Sequence, residues 1–120
     1  MKRMLQGNLI PAGKIRILRP SELPKFRDHL LRLDPPDRRD RFGTAASNDY
    51  VSLYADRCFH DGTTVLGYVV DDMVRGAAEI HELPDATPPS AEIAFSVERG
   101  WQRRGIGSRR GYFLCGFVRL

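Results

Sequence analysis

Hydrophobic and polar positions change period twice along the chain. In "KIRILRP", Ile15 and Ile17 lie two apart ahead of Pro20, which predicts a strand closed by proline. Ser21 is placed to cap a helix, with Glu22 in its favourable first turn and Pro24 tolerated there. Leu23, Phe26, Leu30 and Leu33 then recur at spacings of three, four and three, an apolar stripe on that helix. Asp34-Pro35-Pro36 is read as its stop, and "DRRDRF" as one or two further helical turns. Val51, Tyr54, Ala55 and Cys58 return to helical spacing and predict a second long helix over residues 47–59. Ser47, Asn48 or Asp49 is available as its cap, and Asp61-Gly62 punctuates its end.

The period then shortens to two. "TVLGYVV" and "MVRGAAEI" flank Asp71-Asp72, which predicts an antiparallel hairpin. "LPDATPPS" reads as a proline-rich loop. "AEIAFSVE" alternates cleanly, with Ala91, Ile93, Phe95 and Val97 on one face and Glu92, Ala94, Ser96 and Glu98 on the other. A helix start is signalled at Gly107-Ser108. Strand, helices and then three strands imply an α+β domain with a mostly antiparallel sheet flanked by helices.

Composition narrows the class. At 120 residues, 42% apolar and 28% charged, the chain is one small globular domain, neither disordered nor built to cross a membrane. Its amino terminus lacks an apolar stretch of signal-peptide length, so a cytoplasmic location is expected. Two distant cysteines, Cys58 and Cys115, make no disulfide framework. Three scattered histidines, His29, His60 and His81, make no metal-ligand spacing, so no metal is expected. The net charge of +4 is concentrated, since Arg99, Arg103, Arg104, Arg109 and Arg110 fall within twelve residues. Such a cluster fits a polyanionic partner, a nucleic acid or a phosphorylated small molecule.

The glycines beside that cluster favour the small molecule. In "RGWQRRGIGSRR", Gly105 and Gly107 free consecutive backbone N–H groups to converge on one phosphate at the start of a helix. The loop is neither a Walker A sequence nor a dinucleotide G-x-G-x-x-G. "AEIAFSVERGWQRRGIGS" resembles the acetyl-coenzyme A signature of the GNAT superfamily, the Gcn5-related N-acetyltransferases. Its Gln/Arg-x-x-Gly-x-Gly/Ala pattern is matched by Gln102, Gly105 and Gly107. "LDPPDRRDRF" is similar to a further stretch in one branch of the family, with Arg38, Arg41 and Phe42 at its marked positions. The resemblance covers residues 15–108.

The resemblance implies acetyl transfer from acetyl-CoA, as cosubstrate, to an amine on a small molecule or a protein lysine. Phe95, Ser96 and Val97 would pair with the pantetheine arm, and one of their N–H groups would stabilise the oxyanion. Gln102, Arg103, Arg104, Gly105, Ile106, Gly107 and Ser108 would hold the pyrophosphate. Glu92 matches a general-base position, with Glu79 a weaker candidate. His81 reads as a polar strand-end residue, and Trp101 as an apolar anchor of the turn. A homodimer is within the resemblance, since many relatives pair through late elements.

The carboxy-terminal "SRRGYFLCGFVRL" departs from the family. Gly111 and Gly116 interrupt what should be a helix, and Tyr112 sits in the wrong element to act as the general acid. The pattern after Ser108 is read as a truncated or out-of-frame continuation, with residues 109–120 an atypical tail after the fourth strand and an unpaired sheet edge. The alternative function is a non-catalytic remnant that binds CoA, or a basic module for anions or nucleic acid. The latter lacks interleaved exposed aromatics.

Overall fold

The computed structural model describes residues 3–5, 8–10, 13–102 and 115–119. Its main sheet has five strands in chain order: β3 (Lys14–Ile17), β4 (Thr63–Val70), β5 (Met73–Leu83), β6 (Ser90–Val97) and β7 (Gly116–Arg119). Each is antiparallel to its neighbour. The α+β expectation holds, with two differences at the ends. Residues read as a tail form a separate hairpin of β1 (Arg3–Leu5) and β2 (Asn8–Ile10). The sheet also continues past the fourth strand, because β7 lies along Glu92–Phe95 and covers part of the edge expected to be unpaired.

Local chemistry sets the element ends. The hairpin between β4 and β5 turns at Asp71 (φ 50°) and Asp72 (φ 66°), the two left-handed residues that a tight primed turn needs. Ser21 lies in a 3-10 turn, Pro20–Glu22, and Glu22 occupies the cap of α1 (Leu23–Leu31). The Glu22 carboxylate is held by both Arg16 nitrogens at 2.7 and 2.6 Å and by the Arg19 N–H at 3.1 Å, which lower its pKa to about 2. Asp34-Pro35-Pro36, read as a stop, opens the next helix. Proline needs no N–H partner at a first turn, and the Asp34 carboxylate accepts from the Asp37 N–H at 3.1 Å to cap α2 (Pro35–Phe42). Gly43 ends α2 at φ 79°. Ser47 caps α3 (Asn48–Asp56) by accepting from the Tyr50 N–H.

All three helices lie on one face of the sheet. Phe26, Leu30 and Leu33 meet Val51, Ala55 and Cys58 over Val65, Val74 and Ala77, and Phe59 closes edge-on against Phe26. Each large side chain buried here contributes about 1.5–3 kcal/mol. Gly67 has no room for a side chain, since an added Cβ would come within 2.8 Å of Leu18. The opposite face carries Ile15, Ile17, Leu66, Tyr68, Ala78 and Phe95, and no described helix covers it. Ile15 and Ile17 are 71% and 62% exposed.

The alternation in β6 is therefore inverted relative to a simple inside-outside reading. Its polar side, with Ala94, Ser96 and neighbouring Glu98, faces the helices and is buried, while on the other side Ile93 and Phe95 are half-buried and Val97 alone of the three is buried. The polar groups are tolerated there because each is paired. The His29 imidazole donates from Nδ1 to Glu98 at 3.0 Å and accepts at Nε2 from the Ser96 hydroxyl at 2.8 Å. Arg32 at 3.0 Å and Arg75 at 2.9 Å complete the shell of Glu98. Burial pushes the His29 pKa down, more than its bond to Glu98 raises it.

Two measurements check this packing. Leu30→Ala should cost about 2–5 kcal/mol in urea unfolding, whereas Ile17→Ala on the open face should stay within about 0.5 kcal/mol. Acid should also destabilise through His29. Its folded pKa lies below the ordinary value near 6.5, so the unfolded chain binds the proton first and stability falls as pH drops below that value. His29→Gln should flatten the fall in Tm that begins near that pH; an unchanged slope would contradict the role given to His29.

Candidate active site

The register of β5 on β6 decides which polar side chains meet. Glu79 lies opposite Ala94 and His81 opposite Glu92, all on the helix-bearing face. Glu79 is completely buried, and an isolated carboxylate there would be severely destabilising. Donors from several elements converge on it. Arg41 of α2 reaches both of its oxygens, at 2.7 and 3.3 Å, and Tyr54 of α3 donates its hydroxyl to Oε1. His81 Nε2 lies 3.1 Å from the same oxygen, and the Cys58 thiol 3.5 Å. Burial raises the Glu79 pKa, but the His81 bond and the Arg41 charge outweigh it and hold the carboxyl below its ordinary range. Burial and the neighbouring Glu79 charge push the Tyr54 and Cys58 pKa values up, so both keep their protons.

Two cavities open beside this cluster. One, of about 300 Å³, is lined by Arg41, Tyr54, His81, Glu92 and Ala94. The other, of about 280 Å³, shares Tyr54 and His81 and adds Tyr50, Leu53, Arg57 and His60. Glu92 is half-buried at the wall of the first cavity, and the strand register sets Arg119 of β7, whose side chain lies outside the described residues, opposite it. A half-buried carboxylate at a cavity wall suits a proton acceptor. His81 stands opposite it, bridged through Nδ1 to Thr63 Oγ1 at 3.3 Å.

Cys58, Glu79 and His81 bring one ligand atom each to within 4.8 Å of one another. Arg41 and Tyr54 share the Glu79 carboxylate with Cys58 and His81.

The other edge of β6 is where the resemblance puts the pantetheine arm. The Glu98 N–H donates to the Arg75 carbonyl at 3.1 Å, toward β5. The Val97 carbonyl points the opposite way, accepting from Gln102 Nε2 at 2.9 Å and from the Cys115 thiol at 3.8 Å. By the two-residue period of a strand, the backbone of Ser96 faces β5, and that of Phe95 and Val97 faces outward. The trio assigned from sequence thus splits. Phe95 and Val97 reach the edge, whereas Ser96 spends its backbone on β5 and its hydroxyl on His29. Gly116 of β7 sits opposite Phe95 on that same edge.

Gln102 anchors the start of the glycine-rich turn from inside, donating also to Asp37 Oδ2 at 3.0 Å. Arg99, counted in the basic cluster, is paired with Asp34 at 2.8 Å. Trp101 packs the turn, its ring 6.5 Å from Tyr68 and beneath the Arg75 guanidinium. Arg103, Arg104, Gly105, Ile106, Gly107 and Ser108 lie outside the described residues. Sequence reasoning missed the roles of Tyr54, Cys58 and His81. The usable signal was Arg41, a marked position of the "LDPPDRRDRF" stretch, since a buried arginine requires a buried acid.

Breaking that pair gives a sharp test. Arg41→Leu strands Glu79 and should cost about 3–5 kcal/mol in urea unfolding, while Arg41→Leu with Glu79→Met should recover much of the loss. Equal costs for the single and double variants would contradict the pairing.

No protein-family model matches the sequence, and no curated protein sequence matches it. Solved structures do. An aminoglycoside acetyltransferase from an uncultured soil metagenomic sample, meta-AAC0020 in complex with sisomicin, matches with TM-score 0.53 and 23% identity over 79% of this chain. The same protein in complex with trehalose matches with TM-score 0.54 and the same identity and share. An integron cassette protein from the mobile metagenome of V. cholerae matches with TM-score 0.52 and 20% identity, also over 79% of this chain. The chain spans 60–62% of the length of these neighbours. Its fold is that of the acetyltransferase neighbours, a GNAT fold.

Proposed function

We propose that this chain carries the acetyl-CoA strand and the acceptor cavity of an N-acetyltransferase, moving an acetyl group from acetyl-CoA to an amine. The observation that carries this reading is Glu92. It is half-buried at a cavity wall, on the same strand as the outward-facing backbone of Phe95 and Val97 and within five residues of it.

The chemistry follows from those positions. Glu92 accepts a proton from the bound ammonium, directly or through one water, leaving a nucleophilic amine. The amine nitrogen attacks the thioester carbonyl carbon, and an outward N–H of β6 stabilises the oxyanion that forms. Collapse breaks the carbon–sulfur bond, forms the amide and releases the thiolate, which takes up a proton. The Glu79 cluster holds His81 as the facing wall and keeps α2 and α3 seated on the strands that carry Glu92.

The fit of acetyl-CoA to this edge is divided. The Val97 side has an outward backbone and Gln102 to shape the turn, but Gly116 takes the position opposite Phe95. β7 and the pantetheine arm therefore compete for Phe95. That competition also favours the second reading, a chain that binds CoA weakly and does not turn over. A small-molecule acceptor is the class we favour, in line with an acetyltransferase neighbour found in complex with sisomicin.

Glu92→Gln should lower turnover by about 10²–10⁴-fold with acetyl-CoA affinity unchanged, measured with a thiol-release assay and calorimetry. Full activity in that variant would remove Glu92 from the mechanism. Deleting residues 116–120 should tighten acetyl-CoA binding. Weaker binding in a deletion that still melts cooperatively would show that β7 supports the site and does not compete for it.

A further inference from the structure

A chain of hydrogen bonds runs from the surface to Glu79, and its direction is set at the outer end. The Asp61 carbonyl can only accept, so the exposed His60 ring donates to it from Nδ1 at 2.7 Å. In a neutral imidazole that leaves Nε2 as an acceptor, and Thr63 Oγ1 donates to it at 3.2 Å. The Thr63 hydroxyl has one proton to give, so the same oxygen accepts from His81 Nδ1 at 3.3 Å. A neutral His81 then turns the lone pair of Nε2 toward Glu79 Oε1, 3.1 Å away. Two acceptors at that distance need a cation between them. A proton meets that need, and so does a metal ion.

Cys58 supplies what a proton does not require. Its sulfur lies 3.5 Å from the same Oε1, and one ligand atom each of Cys58, Glu79 and His81 falls within 4.8 Å of the other two. In a tetrahedral zinc site with bonds of about 2.0–2.3 Å, neighbouring ligand atoms stand about 3.3–3.6 Å apart. Small side-chain shifts therefore close the trio on an ion.

We propose that Cys58 Sγ, Glu79 Oε1 and His81 Nε2 form a binding site for a divalent metal ion of zinc's class. The ion displaces the Cys58 thiol proton and the proton on His81 Nε2. Two positive charges replace two, and the buried cluster keeps its net charge. Thiolate with imidazole selects zinc over magnesium or calcium. Arg41 on Glu79 and Thr63 on His81 are the outer partners that orient the ligands. The cavity of about 280 Å³ that Cys58 and His81 help to line gives the ion a way in and room for a solvent ligand. The ligands come from β5 and from the segment after α3, so no spacing in the sequence announces them.

The test is titration of the reduced full chain with Co²⁺, read by thiolate-to-cobalt charge-transfer absorption. One equivalent should give the band, and one equivalent of Zn²⁺ should abolish it and raise the Tm. Cys58→Ser or His81→Gln should lose the band, and Cys115→Ser should keep it. Thr63→Val should keep it with affinity about 10–100-fold weaker. Should Cys58→Ser fail to melt cooperatively, X-ray absorption of the zinc-loaded unmodified chain decides. It should show one sulfur at about 2.3 Å among nitrogen or oxygen neighbours at about 2.0 Å. No band from an unmodified chain that melts cooperatively would overturn the proposal and leave a proton on His81 Nε2. A band kept in Cys58→Ser or His81→Gln, a zinc shell with no sulfur or with two, or an affinity unchanged in Thr63→Val would overturn it as well.

Discussion

A carboxylate with no access to water organises this molecule. Glu79 sits at the centre of β5 with zero exposure, and an unpaired charge there would outweigh much of a small domain's stability. Its donors are therefore structural requirements. They come from α2 through Arg41, from α3 through Tyr54, from the segment after α3 through Cys58, and from β5 itself through His81. Hydrophobic burial brings the helices to the sheet without direction. The converging hydrogen bonds set where along the sheet α2 and α3 come to rest.

The same arrangement sets where the proposed chemistry would lie. Strand register puts His81 against Glu92, and the helices held by Glu79 wall in the space above them. Farther along β6, the His29–Ser96–Glu98 network fixes the strand from the helix side, leaving the opposite backbone edge of Phe95 and Val97 to face away. One strand thus presents a carboxylate to one cavity and peptide groups to an edge. An acyl transfer between two substrates needs that division.

Much of this was legible in the chain. The helical stripe of Phe26 and Leu30, the Ser47 cap and the Asp71-Asp72 hairpin all follow from spacing and turn chemistry, and each is found, while Leu33 is buried just past the end of the helix. Proline pairs are ambiguous between stopping one helix and starting the next, and at Pro35-Pro36 the Asp34 cap decided for the start. The covered face of β6 was not readable, because alternation tells which residues share a face and not which face the helices take. Here the helices cover the polar face, since His29, Arg32 and Arg75 supply partners for it. The Glu79 cluster was hidden for the same reason: its members are spread from Arg41 to His81 and meet only in the fold.

The most direct measurement is to titrate isotope-labelled chain with acetyl-CoA and follow its backbone amide resonances. The account predicts shifts concentrated at Phe95, Val97 and Gln102, with the Glu79 and Val51 amides unmoved. Shifts absent from β6, or spread evenly over the surface, would contradict the assignment of that edge to the acetyl donor.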